Sequence, residues 1–459
     1  MTNLDDTIAA IPTPPGEGGV GIVRLSGSQA IAIAARLFVS STGRDIRAGQ
    51  RQRVFHGHIR DAEGRILDEV LLHVMRAPHS YTREDVVEIN GHGGAGPLHA
   101  VLEETLRHGA CLAGPGEFTL RAFLNGRIDL VQAEAVIDLI RARTRGSLQA
   151  ANAAASGILS KTIYAIRDTL ADALARIEAA VDFPDEDLPE LVDEALLDRL
   201  RATHGRMIDL LNTADAGRLY REGAAIAIAG RPNVGKSSLF NALLRDARAI
   251  VSAHAGTTRD RLEEYITVSG VPVKLVDTAG LRATADEVEQ MGVAVARQVL
   301  HSANLAIFVL DASAALTGED ERLAQELRDL EIPVVLALNK SDLAPGAPVP
   351  PWDMPFAAVH RVSALTNAGL KELEAVLGTL LMGGANLDAD QAMLTRLHQK
   401  DSLRRAADCV ERLLQDPALS PEFLALEARE ALQALGEITG ETTPEDLLDI
   451  IFSSFCIGK

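Results

Sequence analysis

The residues best placed to do chemistry lie in GRPNVGKS at 230–237. The segment has the spacing G-x-x-x-x-G-K-[ST], and it sits between an apolar run at 225–229 and the helix-type run SLFNALL. Gly230 and Gly235 let the backbone come close to phosphate oxygens with its N–H groups turned inward, where a Cβ would intrude. Lys236 brings positive charge to the β- and γ-phosphates of a nucleotide, and Ser237 offers a hydroxyl to Mg²⁺. Strand, loop and helix in that order argue against a chance Gly-containing turn.

Three further motifs follow in the order a guanine-nucleotide switch requires. DTAG at 277–280 ends a predicted strand, so Asp277 can reach Mg²⁺ through water and the Gly280 N–H can sense the γ-phosphate. NKSD at 339–342 ends another. A carboxylate at Asp342 accepts from guanine N1–H and N2–H₂, which adenine cannot match, while Asn339 braces the loop. SAL at 363–365 closes on the base from the other side, and GTTRD at 256–260 lies where a switch segment belongs, with Thr258 as a second Mg²⁺ hydroxyl. The nucleotide-contacting set is therefore Asn233, Val234, Gly235, Lys236, Ser237 and Ser238, then Ser252, Ala253, His254, Ala255, Gly256, Thr257 and Thr258. It continues through Asp277, Thr278, Ala279 and Gly280 to Asn339, Lys340, Ser341, Asp342, Ser363 and Ala364. Leu281, directly after DTAG, has no polar atom with which to orient an attacking water. A catalytic group must come from elsewhere. The acidic run ADEVEQ at 285–290 is the nearest source, unless it is simply a solvated helix start.

The elements that position these residues belong to a multidomain chain. At 459 residues it exceeds what one core usually supports. Residues 1–120 mix short β-type runs with Gly and Pro turns and read as an α+β domain; 121–217 are Ala-, Leu- and Arg-rich with helical spacing, broken at FPDED (183–187). From 218 to 382 apolar runs at 226–229, 273–276, 305–310 and 334–338 alternate with helical segments, the pattern of a mostly parallel α/β sheet. Residues 383–459 turn helical again, so the α/β unit is an insertion into a helical domain. APGAPVPPW at 344–352 reads as a surface loop.

No stretch approaches the roughly 20 apolar residues that span a bilayer. The N-terminus lacks a basic region followed by an apolar run, and three cysteines without metal-ligand spacing suit a reduced, cytoplasmic protein. The net charge of −19 means that any nucleic-acid contact must be patchy and salt-sensitive.

Outside the nucleotide motifs, four segments carry a more specific signal: DTIAAIPTPPGEGGVGIVRLSG at 6–27, SYTREDVVEINGHGG at 80–94, PGEFTLRAFLNGRIDLVQAEAVIDLI at 115–140 and FCIGK at 455–459. With them the chain resembles the MnmE (TrmE) family of tRNA-modification GTPases over nearly its whole length. The resemblance implies an N-terminal folate-binding and dimerisation domain, a helical domain from the middle and C-terminal segments, and an inserted Ras-like G domain.

It further implies a homodimer whose G domains meet across their nucleotide faces, with K⁺ held by Asn233 and by the segment around Ser252, His254 and Thr257. Glu289 matches the acid that positions water, so the implied catalytic set is Glu289, Lys236 and Cys456. A 5-formyltetrahydrofolate-type ligand would meet Arg24, Glu84, Arg127 and Lys459, where Arg24 and Arg127 could otherwise be ordinary surface cations. Arg127 stands where the family usually has Lys, and Ala283 where many members have Glu. Cys456 is either a small packed hydrophobe or a group with a part in modification.

The implied reaction is joint work with the flavoprotein MnmG (GidA) at C5 of the wobble uridine of certain tRNAs, using a folate one-carbon unit. No G-x-G-x-x-G fingerprint is present here, so FAD belongs to that partner. Two rivals stay open at this point: a ribosome-assembly GTPase of the Era or EngA type, and a stand-alone folate-dependent one-carbon transferase.

Overall fold

Alternating burial builds the first sheet. Seven strands are described in it: β1 (Ile8–Ala10), β2 (Gly18–Ser26), β3 (Phe38–Ser40), β4 (Arg53–Arg60), β5 (Ile66–Met75), β6 (Val86–Gly93) and β7 (Cys111–Leu112). Their order is β3-β4-β5-β6-β2-β1-β7, antiparallel except for the β1–β7 pair. Along β5, Val70, Leu72 and Val74 point inward while Glu69 and Leu71 face out, the period of two expected of a half-covered sheet. Helices Ala30–Leu37 and Ala95–Arg107 cover the apolar face with Ile31, Leu37, Leu98 and Val101.

The computed structural model describes residues 5–48, 52–182, 193–246, 265–277, 300–301, 303–330, 332–352, 354–384, 388–416 and 420–458. The chain divides into two compact units, Met1–Ile137 with Gln433–Lys459, and Asp138–Leu432. In the first unit the C-terminal residues pack with the segment that follows the opening sheet. Phe452 and Phe455 pack with Leu130, Ala133 and Ile137, and Ile457 bridges to Pro115.

The second unit holds the α/β domain and the helices on either side of it in sequence. Its sheet runs β13-β12-β11-β8-β10-β9, from β8 (Ala224–Ala229), β9 (Tyr265–Val268), β10 (Val271–Asp277), β11 (Leu305–Asp311), β12 (Val334–Asn339) and β13 (Ala358–Arg361). All neighbours are parallel except β9 and β10. Parallel strands are covered on both faces, and here Ile226, Ile307 and Val335 pack to one side while Ala227, Phe308 and Leu336 pack to the other. The loop at 344–352 is not wholly free of that core, because the Trp352 ring stacks on Phe308 with centroids 5.9 Å apart.

The flanking helices pack on each other. Helix Glu194–Asn212 lies against helix Leu397–Gln415, and Ile177 meets Leu413, Leu424 and Ala428. The Leu394 N–H donates to the Thr213 hydroxyl at 3.1 Å, and Arg396 pairs with Asp138 at 2.9 Å. The α/β domain is thus inserted into one helical body. Among the described residues no helix is long and apolar enough to cross a membrane.

Gly217 sits where these two strands of the chain meet: a Cβ there would overlap the Leu394 carbonyl. Alanine in a helix gains at most about 1 kcal/mol over glycine, whereas forcing a backbone apart costs about 1–3 kcal/mol. Gly217→Ala should therefore lower the melting midpoint. Gly205→Ala, in helix Glu194–Asn212 with open space around it, should raise it slightly. Calorimetry of the two variants separates the effects, and a stable Gly217→Ala would show that the seam has slack.

Candidate functional site

The phosphate loop is held open by glycine. Between β8 and helix Lys236–Asp246, Gly230 and Gly235 take φ of +151° and +95°, and Asn233 also lies at positive φ, +66°. A Cβ on Gly230 would stand 2.5 Å from the Val309 carbonyl, and one on Gly235 would overlap the Asn339 carboxamide. The Lys236 side chain curls back under the loop, its Nζ donating to the carbonyls of Gly230 and Arg231 at 2.7 Å each. It is 5% exposed, so its charge lies inside the cradle, while Ser237 and Ser238 on the first helical turn are exposed.

A second loop is tied to the first. Asn339, 1% exposed, donates from Nδ2 to the Val234 carbonyl at 2.9 Å and accepts at Oδ1 from the Ala364 N–H at 3.1 Å. One carboxamide therefore joins the phosphate loop, the NKSD loop and the SAL loop. Lys340, at φ +59°, extends to the Asp311 carboxylate at 2.6 Å and to the Asn233 carbonyl at 3.1 Å. Burial pushes the Asp311 carboxyl up, but hydrogen bonds from Lys340 and Ser313 outweigh it and hold the group below the usual carboxylate range. The Ser341 N–H donates to the Val362 carbonyl at 3.1 Å, leaving Asp342 exposed at the loop's rim, and Ser363 is fully buried beneath it.

Asp277 closes β10. The remaining expected nucleotide contacts, Ser252, Ala253, His254, Ala255, Gly256, Thr257, Thr258, Thr278, Ala279 and Gly280, lie outside the described residues, as do Glu289 and Lys459.

A separate constellation occupies the first unit. Arg24 on β2 reaches Glu88 on β6 at 2.8 Å, and its Nη1 donates to the Gly458 carbonyl at 3.3 Å. The Cys456 carbonyl accepts from the Gly116 N–H at 3.4 Å, and its thiol is exposed. Cys409, by contrast, is buried in the second unit, and burial above all pushes its thiol up to about 11. A Cβ on Gly458 would meet Pro12 Cα at 2.7 Å, so the FCIGK segment is pressed against the opening strands.

Glu84 accepts from the Ser26 hydroxyl at 2.6 Å and from Arg121 at 3.2 Å. Arg127 is exposed with its guanidinium 4.8 Å from the Tyr81 ring centre. Tyr81 donates to or accepts from Thr119 at 3.0 Å, and burial pushes its hydroxyl above the usual range. Arg24, Glu84, Gly458 and the helix Glu117–Leu124 thus share one locality. Reading the sequence missed Arg121 and Glu117, although their four-residue spacing on an apolar helix is the signature of a buried ion pair.

Comparison with known proteins covers both units of the chain. Residues 7–127 match the family described as GTP-binding protein TrmE N-terminus, and residues 130–456 match MnmE helical domain. The chain is 48% identical over 465 residues to a tRNA modification GTPase MnmE of Chloroflexus aurantiacus, covering 99% of this chain and all of that one. It is 42% identical over 461 residues to the protein of the same name from Alkaliphilus oremlandii, with the same coverage. A solved structure of Aquifex aeolicus Era bound to GDP and aluminium fluoride is 27% identical over 40% of this chain and 66% of that chain, at a TM-score of 0.27.

Removing the tie between the loops should show in binding. Asn339→Ala leaves a buried carbonyl and a partly buried N–H without their partner, about 1–3 kcal/mol each, so guanine-nucleotide affinity should fall at least about tenfold. Titration with a fluorescent GDP analogue measures it, and unaltered affinity would mean the loops hold their places without the carboxamide.

Proposed function

The chain belongs to the MnmE family of tRNA-modification GTPases, and from that premise we propose that it is a K⁺-activated GTPase acting on the wobble uridine of certain tRNAs. It works as a homodimer with the flavoprotein MnmG (GidA), which carries FAD, and draws a one-carbon unit from a folate to install an aminomethyl or carboxymethylaminomethyl group at C5. The observation that carries the GTPase part is the Asn339 carboxamide, which holds the phosphate loop and the base-selecting loop in one register.

The described residues fit a magnesium nucleotide. Gly230 and Gly235 let the loop take its positive φ angles and pack its backbone against the Val309 carbonyl and the Asn339 carboxamide, where a Cβ would not fit. Ser237, with Thr258 and Asp277, would hold Mg²⁺, which supplies charge compensation for the β- and γ-phosphates. Lys236 lies buried where it can add to that charge. Asp342, exposed at the rim, would accept the paired donors of guanine. Asn233 would hold K⁺ together with backbone oxygens near Ser252, His254 and Thr257. Glu289 would orient the attacking water in place of the polar side chain that Leu281 does not provide.

In the first unit the acidic and basic groups suit a folate. Arg24 and Arg127 offer cations for its carboxylates, Lys459 a third, and Glu84 an acceptor for the pterin edge. Cys456 presents an exposed thiol on the segment that Arg24 touches. The proposed site of action is the cytoplasm, where tRNA and reduced thiols coexist.

The base assignment predicts that Asp342→Asn loses most of its affinity for GTP, with unmodified chain preferring GTP over ATP by several orders of magnitude; equal binding of the two nucleotides would remove the assignment. Hydrolysis should run faster in KCl than in NaCl, and Glu289→Ala should bind GTP normally while turnover drops by about 10²–10⁴. Wobble-uridine analysis of tRNA from cells lacking the protein tests the remainder, since full modification there would end the tRNA reading.

A further inference from the structure

A fully buried guanidinium stands behind Glu84. Arg121 is 0% exposed and follows Glu117 by one turn on helix Glu117–Leu124. Its Nη2 and Nε donate to Glu117 Oε1 at 2.9 and 3.3 Å. From Nη1 it donates to the Asp6 carbonyl at 2.8 Å and to the two Glu84 oxygens at 3.2 and 3.4 Å. Burying such a charge costs several kcal/mol unless it is paired and fully hydrogen-bonded.

The two carboxylates are not equivalent partners. Glu117, with 8% of its side chain exposed, makes the shortest carboxylate bond to Arg121, 2.9 Å, and takes the Gly114 N–H on its other oxygen at 2.8 Å. It serves as the principal counter-charge of Arg121. Glu84 shares a single Arg121 nitrogen between its two oxygens at 3.2 and 3.4 Å, keeps 18% of its side chain exposed, and is steered by the Ser26 hydroxyl at 2.6 Å. Ser26 is itself fully buried and bonded to Thr82, so the steering group cannot wander. Glu88, on the neighbouring strand β6, is already engaged by Arg24. Glu84 is thus fixed in place with part of its carboxylate still open to solvent.

We propose that Arg121 is a positioning residue for ligand recognition by Glu84, with Glu117 as the counter-charge that allows a guanidinium to be buried there. This rests on the folate reading of the same locality. The ligand edge that fits a fixed, half-buried carboxylate is one with two parallel N–H donors, as the 2-amino-4-oxopyrimidine edge of a pterin presents. Arg121 acts through the carboxylate and does not touch the ligand.

Calorimetric titration of the full chain with 5-formyltetrahydrofolate decides it, using the unaltered protein, Arg121→Lys, Arg121→Met, Glu84→Gln and the double variant Arg121→Met/Glu84→Gln. Lysine keeps the charge but lacks the planar fork that faces Glu117, Glu84 and the Asp6 carbonyl at once, so Arg121→Lys should stay folded, shown by its melting midpoint, and bind at least tenfold more weakly. The double variant should bind no more weakly than Glu84→Gln alone, because both changes disable one group. A folded Arg121→Lys that binds like the unaltered protein overturns the proposal, as do single losses that multiply in the double variant. If Arg121→Met does not fold, the lysine variant still decides. Failure of the unaltered chain to bind the folate is a different result, and it overturns the folate reading together with this one.

Discussion

Asn339 is nearly inaccessible to solvent, and both ends of its carboxamide are committed to backbone on loops that are far apart in sequence. The constraint spreads from there. Because Nδ2 must reach the Val234 carbonyl, residue 235 has no room for a side chain, and glycine is required twice over, for space and for its positive φ. Because β11 and β12 run in register to Asp311 and Asn339, the next residue, Lys340, is delivered to Asp311 and to the phosphate loop. The sheet's near-continuous apolar strands fix that register by burying side chains on both faces, so the polar residues can emerge only at the strand ends. Ligand crevices of open parallel sheets lie at those ends for this reason.

The nucleotide-binding half of the molecule was largely legible in the residues because its information is local. Each motif follows a short apolar run, and the strands end within a residue or two of where the runs end, at Ala229, Asp277, Asp311 and Asn339. What periodicity could not supply were the ties between motifs. Arg231 facing Asp320 at 3.2 Å and Lys340 facing Asn233 depend on how loops from different strands come together. The packing of helix Glu194–Asn212 on helix Leu397–Gln415 was equally silent, since both read simply as amphipathic.

The N-terminal constellation was legible only in part, and for a different reason. Arg24, Glu84 and Arg127 are legible only through resemblance, whereas Arg121, which stands behind Glu84, is a charge in a position that burial patterning assigns to a hydrophobe. A sequence shows such a residue only as an exception to its helix's apolar face, and the partner at four residues' spacing is the clue that the exception is compensated. Locally the charges balance: Arg24, Arg121 and Arg127 stand among Glu84, Glu88 and Glu117. The chain's overall acidity therefore says little about this site, because at physiological salt only charges within about 8 Å act on one another strongly.

A GTPase that adjusts a modifying site must pass a change in its nucleotide loops to the helical body, and the second unit has a stiff contact in a suitable place. The β9–β10 hairpin lies between the segment containing GTTRD and the DTAG motif, with Asp277 as its last residue. Its turn is clamped from the helical side: the Thr144 hydroxyl donates to the Gly270 carbonyl at 2.5 Å, and a Cβ on Gly146 would stand 2.5 Å from the same oxygen. Arg143 lies over the Tyr265 ring, 3.9 Å from its centre. These direct contacts run beside an open cavity of about 520 Å³ lined by Gly146, Tyr220, Ser269 and Gly270, so a displacement passes through the contacts themselves and not through the whole seam. Under the proposed function the hairpin would act as a rod joining the two switch segments to helix Arg145–Ala155. The glycine at 146 is what lets the hairpin turn come this close to the helix.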